Sequence, residues 1–152
     1  MRKKNMESHP KSDVQMKEKF RVLLAEDDNE MCRLIASVLR KDGYHVTQCS
    51  NGINLLSHLT SYVNETNEEH YDVIISDIRM PGLTGMEVVE GLHRIPKAPP
   101  MILITAFGDA ETHAAALRQG AVALLDKPFD MESLLDQVRS LLPGQPAAST
   151  GS

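Results

Sequence analysis

Short apolar runs alternate along the chain with segments in which apolar residues recur every three or four positions. Residues 20–25 form a first run, which ends in the acidic cluster Glu26-Asp27-Asp28. Met31, Leu34, Ile35, Val38 and Leu39 then follow the i, i+3, i+4, i+7, i+8 pattern of a helix with one apolar face. Asp28 or Asn29 can cap its start, and Gly43 stands just past its end. Residues 44–48 predict a second strand, and Ile53, Leu55, Leu56, Leu59 and Val63 a second helix. Residues 61–70 are polar apart from Tyr62 and Val63, and predict a helix end running into an exposed loop. A third strand is predicted over 71–76, where Val73, Ile74 and Ile75 are continuous rather than alternating. Met80-Pro81-Gly82 signals a turn before a third helix over 84–94, which Pro96, Pro99 and Pro100 terminate. A fourth strand over 101–105 leads to a helix over 110–119 that stops at Gly120, and residues 121–125 predict a fifth strand. Asp130 caps a last helix with the stripe Leu134, Leu135, Val138, Leu141 and Leu142, ended by Pro143-Gly144.

Five strand–helix units in strict alternation imply an α/β domain: a parallel sheet with helices on both faces, joined by right-handed crossovers. Continuous apolar strands fit a sheet covered on both sides. In such open sheets ligands bind outside the carboxyl ends of the strands, at the topological switch point. Chemistry is therefore to be sought where the strands end.

Composition narrows the function classes. A chain of 152 residues is close to one domain, and 41% hydrophobic with 24% charged residues is the balance of a globular one. Unbroken apolar runs such as 121–125 are far short of the ~20 residues of a membrane span. No apolar stretch follows the basic start, so a secretory signal is not expected, and the chain is read as cytoplasmic without a membrane partner. The net charge of −5 is unevenly placed. Residues 1–20 carry six basic and three acidic side chains, whereas the remainder carries ten basic and eighteen acidic. An acidic body with no Trp is a poor partner for nucleic acid, and direct binding to it by this domain is not expected. Residues 1–19 are read as a disordered basic leader, 20–142 as the folded domain and 143–152 as a linker or flexible tail. Cys32 and Cys49 lie 17 apart with no C-x-x-C pairing, and are expected to be small core residues. The six histidines show no metal-ligand spacing, and most are expected at the surface.

At the predicted strand ends the polar residues form a set. Strand one delivers Glu26 and Asp27, strand three Asp77, strand four Thr105, and strand five, after Asp126, Lys127-Pro128. Two carboxylates ~4 Å apart repel by roughly 4 kcal/mol at an effective dielectric of about 20. Such a cluster needs a cation or shifted pKa values. Hard carboxylate oxygens with few other ligands suit Mg²⁺, which keeps several waters and favours a phosphoryl-bearing partner.

Four segments, Leu24-Ala25-Glu26-Asp27-Asp28, Ser76-Asp77-Ile78-Arg79-Met80-Pro81-Gly82, Leu103-Ile104-Thr105-Ala106 and Asp126-Lys127-Pro128-Phe129, resemble the motifs of response-regulator receiver domains. Each is weak alone, but four in order at four strand ends are specific, and the match runs from about residue 20 to 142. The resemblance implies a flavodoxin-like sheet in the order 2-1-3-4-5. It implies a non-enzyme signalling module that takes a phosphoryl group on Asp77 from a sensor histidine kinase or phosphotransfer protein. Asp27 and Asp77 would ligate Mg²⁺ with the backbone carbonyl of Arg79, and Glu26 would hold it through water. Thr105 would donate its hydroxyl to the phosphoryl group and Lys127 would neutralise its charge, with Lys127–Pro128 cis. The resemblance also leaves room for a downstream output domain or protein and for a phosphorylation-dependent homodimer.

The sequence departs from the family pattern in places. The stretch between Asp27 and Asp77 is several residues long for the family, with the surplus in 61–70. Leu124 stands three before Lys127, where an aromatic residue is common, and Arg79 and Phe107 stand two after Asp77 and Thr105, where side chains tune phosphate loss. Phe107 has no hydrogen-bonding group and is expected to shield the phosphoryl group, giving slow self-dephosphorylation. The alternative reading is a phosphatase or dehalogenase-like hydrolase with an aspartyl nucleophile; its phosphatases need an acid two after the nucleophile, where Arg79 stands. Nucleotide-binding glycine motifs are lacking. Residues after Leu142 are too few for an output domain, so the chain is read as a stand-alone receiver or as part of a longer regulator.

Overall fold

The computed structural model describes residues 20–64, 70–80, 84–95, 97–106, 108 and 110–142, without the side chains of 60–64. The leader 1–19, the loop 65–69, the Pro81-Gly82 turn, Phe107 and the tail from residue 143 lie outside the described residues. The elements are β1 (Arg21–Ala25), α1 (Asn29–Lys41), β2 (His45–Cys49), α2 (Gly52–Asn64), β3 (Val73–Asp77), α3 (Gly85–Leu92), β4 (Met101–Thr105), α4 (Ala110–Gln119), β5 (Ala123–Asp126) and α5 (Met131–Leu141). All five strands are parallel, in the order β2-β1-β3-β4-β5.

The unbroken apolar strands have a simple cause. Val22 and Leu24 of β1, Val73 and Ile75 of β3, and Ile102 and Ile104 of β4 face the layer of α1 and α5. Their neighbours Leu23, Ile74, Met101 and Leu103 face α2, α3 and α4. Each strand residue thus meets a covered side, and alternation with polar residues has no place. Cys32 and Cys49 are buried free thiols, one in each layer, as their apolar settings suggested.

Caps fix where the elements begin and end. The Asp28 carboxylate accepts the amides of Glu30 and Met31 at 3.0 and 3.1 Å, and Asp130 accepts that of Ser133 at 2.7 Å. Thr84 and Glu87 form a reciprocal capping box at the start of α3. At the far end of α1, Gly43 has a φ of 99° and the amide of Tyr44 returns to the Leu39 carbonyl at 3.1 Å. Gly120, with a φ of 116°, closes α4 the same way, the amide of Ala121 reaching Ala116 O at 3.0 Å. These closures move two strand starts: the second strand begins at His45 rather than 44, and the fifth at Ala123 rather than 121.

Because β1 is followed outward by β2 while β3 pairs on its other side, the connections after β1 and β3 diverge. The crevice between them opens at the carboxyl ends of β1 and the middle strand, β3.

Candidate functional site

β3 is the middle strand, and its last residue, Asp77, is 6% exposed. Its Oδ2 receives a hydrogen bond from the Lys127 ammonium at 2.8 Å, and its Oδ1 accepts the Arg79 amide at 3.0 Å. Glu26, just past β1, is 1% exposed. Its Oε1 lies 3.2 Å from Lys127 Nζ, yet off the direction of a hydrogen bond, and its Oε2 accepts the Asp28 amide at 3.1 Å. Asp27 is exposed on the rim, and one carboxylate oxygen each from Glu26, Asp27 and Asp77 fall within 4.8 Å of one another.

Burial pushes the Glu26 carboxyl up to about 7, reinforced by the charge of Asp77 and opposed by the Asp28 amide and by Lys127. For Lys127, desolvation acts downward, but the hydrogen bond and charge of Asp77, joined by Glu26, outweigh it and hold the ammonium above its usual value. The Lys127 ammonium thus faces the carboxylates of Glu26 and Asp77, with that of Asp27 grouped beside them. The buried Glu26 oxygen without a hydrogen bond and the all-oxygen donor set fit a hard divalent cation.

Thr105 ends β4 and is 2% exposed, one residue beyond Ile104, the register partner of Asp77. The amide of Lys127 donates to the Thr105 carbonyl at 2.7 Å, tying the ends of β4 and β5 together. The Lys127–Pro128 bond is cis. Arg79 is exposed and, with Asp27, Met80 and Thr84, lines an open cleft of about 470 Å³ beside the carboxylates.

Gly85 is a residue that sequence reasoning passed over. A Cβ there would come within 2.5 Å of the Asp77 carbonyl oxygen, and the Gly85 amide donates to Ile78 O at 2.8 Å. The first turn of α3 therefore packs directly on the backbone of Asp77. The available signal was a glycine three residues after Pro81-Gly82 in the first turn of a helix, a poor helix former beside an acidic strand end.

Fold and site together define a doubly wound α/β domain with an acidic, lysine-bridged site at the carboxyl ends of its strands. The family profile described as the response regulator receiver domain matches residues 22–139. The chain belongs to that family, the phosphoacceptor signalling modules of two-component systems. It is 31% identical over 122 residues to the response regulator receiver protein CpdR of Brucella abortus, covering 80% of this chain and 96% of that one. It is 32% identical over 125 residues to the uncharacterized transcriptional regulatory protein YkoG of Bacillus subtilis, covering 82% of this chain but only 52% of that one. Among solved structures, response regulator TrrA of Thermotoga maritima, determined in complex with Mg²⁺ and BeF, is similar at a TM-score of 0.69 and 28% identity, covering 81% of this chain and 99% of that one. Among the described residues no helix is long and apolar enough to cross a membrane.

Proposed function

We propose that Asp77 accepts the phosphoryl group from a sensor histidine kinase or phosphotransfer protein. The observation that carries this is the placement of Asp77: a buried carboxylate at the end of the central strand, bonded to Lys127 at 2.8 Å and grouped with Glu26 and Asp27. In the reaction a carboxylate oxygen of Asp77 forms a bond to phosphorus as the donor's bond to phosphorus breaks, the departing group keeping that electron pair. Lys127 stays against Asp77 through the transfer and offsets charge on the phosphoryl oxygens. Thr105 presents its hydroxyl as a donor to one of them. Asp27, Asp77 and the backbone carbonyl of Arg79 would hold Mg²⁺, with Glu26 reaching it through water. The ion when bound supplies charge neutralisation and orientation of the phosphoryl group.

The module is no enzyme beyond assisting its own phosphorylation and dephosphorylation. It works in the cytoplasm, and residues 20–142 form the signalling domain between a leader and a linker. Because the chain spans about half of YkoG but nearly all of CpdR, either an attached output domain or a separate protein can read the signal.

Intact mass after incubation with a small phosphodonor and Mg²⁺ should show one added phosphate, absent with chelator and absent in Asp77→Asn. Undiminished labelling of Asp77→Asn overturns the assignment. Steady turnover of a generic phosphomonoester would instead support a hydrolase.

A further inference from the structure

His113, in the second turn of α4, reaches across to Asp126, the last residue of β5. Its Nε2 lies 2.9 and 3.1 Å from the two carboxylate oxygens. A carboxylate only accepts, so this nitrogen carries the proton in the bond. The same carboxylate is pressed on the β4–α4 connection: a Cβ on Gly108 would come within 1.6 Å of Asp126 Oδ1. Asp126 is therefore gripped from two sides, by the helix and by the loop that leads into it. Its own position matters equally: it is the register partner of Thr105 and the residue before Lys127.

We propose that the His113–Asp126 pair is a clasp that holds the β4–α4 connection and the start of α4 against the end of β5 in the phosphate-free state, and that opening it is part of the response to phosphorylation. This rests on the reading of Asp77 and Thr105 given above. Lys127, next to Asp126 in the chain, is engaged by Asp77 and Glu26. If Thr105 draws toward a group on Asp77, the loop that follows it moves toward β3. That direction leads away from β5, which pulls Gly108 off the Asp126 carboxylate and lengthens the His113 bond.

The strength of the pair suits a switch. Its side chains are 35% and 49% exposed, and an ion pair so placed biases an equilibrium by roughly two- to five-fold. A new phosphoryl bond from Thr105 can overcome a bias of that size. A buried pair of greater strength would hold the loop shut.

The test is a titration of the full chain with beryllium fluoride in excess Mg²⁺, read from the amide signals of residues 105–110, for the parent, His113→Ala, Asp126→Asn and the double variant. Asp77 labelling by a small phosphodonor is followed alongside by intact mass. Each single variant should reach half-response at a roughly two- to five-fold lower beryllium fluoride concentration, and the double variant should go no further than the singles. His113→Gln, which keeps a donor of similar reach, should fall between parent and His113→Ala. Singles with the parent's midpoint, a midpoint moved upward, or effects that add in the double variant overturn the clasp while leaving the Asp77 reading intact. A parent that neither responds nor takes phosphate overturns that reading, and the clasp with it.

Discussion

At the scale of single residues, the site depends on side chains that are absent as much as on those present. Gly85 lets α3 start directly against the Asp77 carbonyl, and no flexible side-chain end is there to give way, since the nearest atoms are the backbone of Asp77 and Ile78. Gly85→Ala should therefore displace α3 or the acceptor. Overpacking of this kind costs about 1–3 kcal/mol, and Asp77 would lose its alignment with Lys127. The expected outcome is a lower urea midpoint with an unchanged slope, together with slower phosphate incorporation. Gly91→Ala is the matched control, because a Cβ there meets nothing within 4 Å and alanine favours the helix. Should Gly85→Ala label at the parent's rate, close packing of α3 on the acceptor is not what the glycine provides.

At the scale of elements, much was readable because strand, cap and turn signals agreed. The segments 101–105 and 110–119 match β4 and α4 in full, since prolines precede one and Gly120 closes the other. Asp28, Thr84 and Asp130 sit where side chains must meet orphan helix amides, so local chemistry alone marks those starts. The strands predicted from 44 and 121 start later, because hydrophobicity does not reveal that the amides of Tyr44 and Ala121 are spent closing helices. At the site, Glu26, Asp27, Asp77, Thr105 and Lys127 could be found from their places after apolar runs. The Gly85 approach and the His113–Asp126 contact could not, because both depend on how separate elements pack, and periodicity carries no record of that.

The coupling between elements also follows from register. Leu103 pairs with Leu124 and Thr105 with Asp126, and Leu103 and Leu124 both pack toward α2, α3 and α4. Thr105, two residues after Leu103, points to that same side. Leu124 has no polar tip to exchange between surface and interior, and the stabilisation from burying it further is ~1 kcal/mol or less at about 25 cal/mol per Å². The response therefore leans on Thr105 and the loop after it. Beryllium fluoride should shift amide signals mainly in residues 105–110, with smaller changes around Leu124. Thr105→Ala should keep phosphorylation at Asp77 and lose most of that response. A parent-like response from Thr105→Ala, or its abolition by Leu124→Ala alone, would place the coupling in β5.

At the scale of the whole molecule, folding gathers the carboxylates of Glu26, Asp27 and Asp77, with the Lys127 ammonium against two of them, an arrangement the unfolded chain does not have to bear. Any cation that binds the folded site and not the unfolded chain stabilises the fold by mass action, by about 2.7 kcal/mol at a hundredfold excess over its dissociation constant. Mg²⁺ should therefore raise the urea midpoint of the parent, and chelator should reverse the gain. Asp27 is the exposed member of the group and supports no core contact, so Asp27→Asn tests this repulsion without loss of packing. In chelator the variant should equal or exceed the parent in stability, by up to about 1 kcal/mol for charges ~4 Å apart in a water-like surrounding. With Mg²⁺ the order should reverse, since the variant has lost one of few ligand carboxylates and gains less than half as much. Equal Mg²⁺ shifts in parent and variant would mean that the ion stabilises the chain elsewhere, through general screening of its net charge of −5 rather than at these carboxylates.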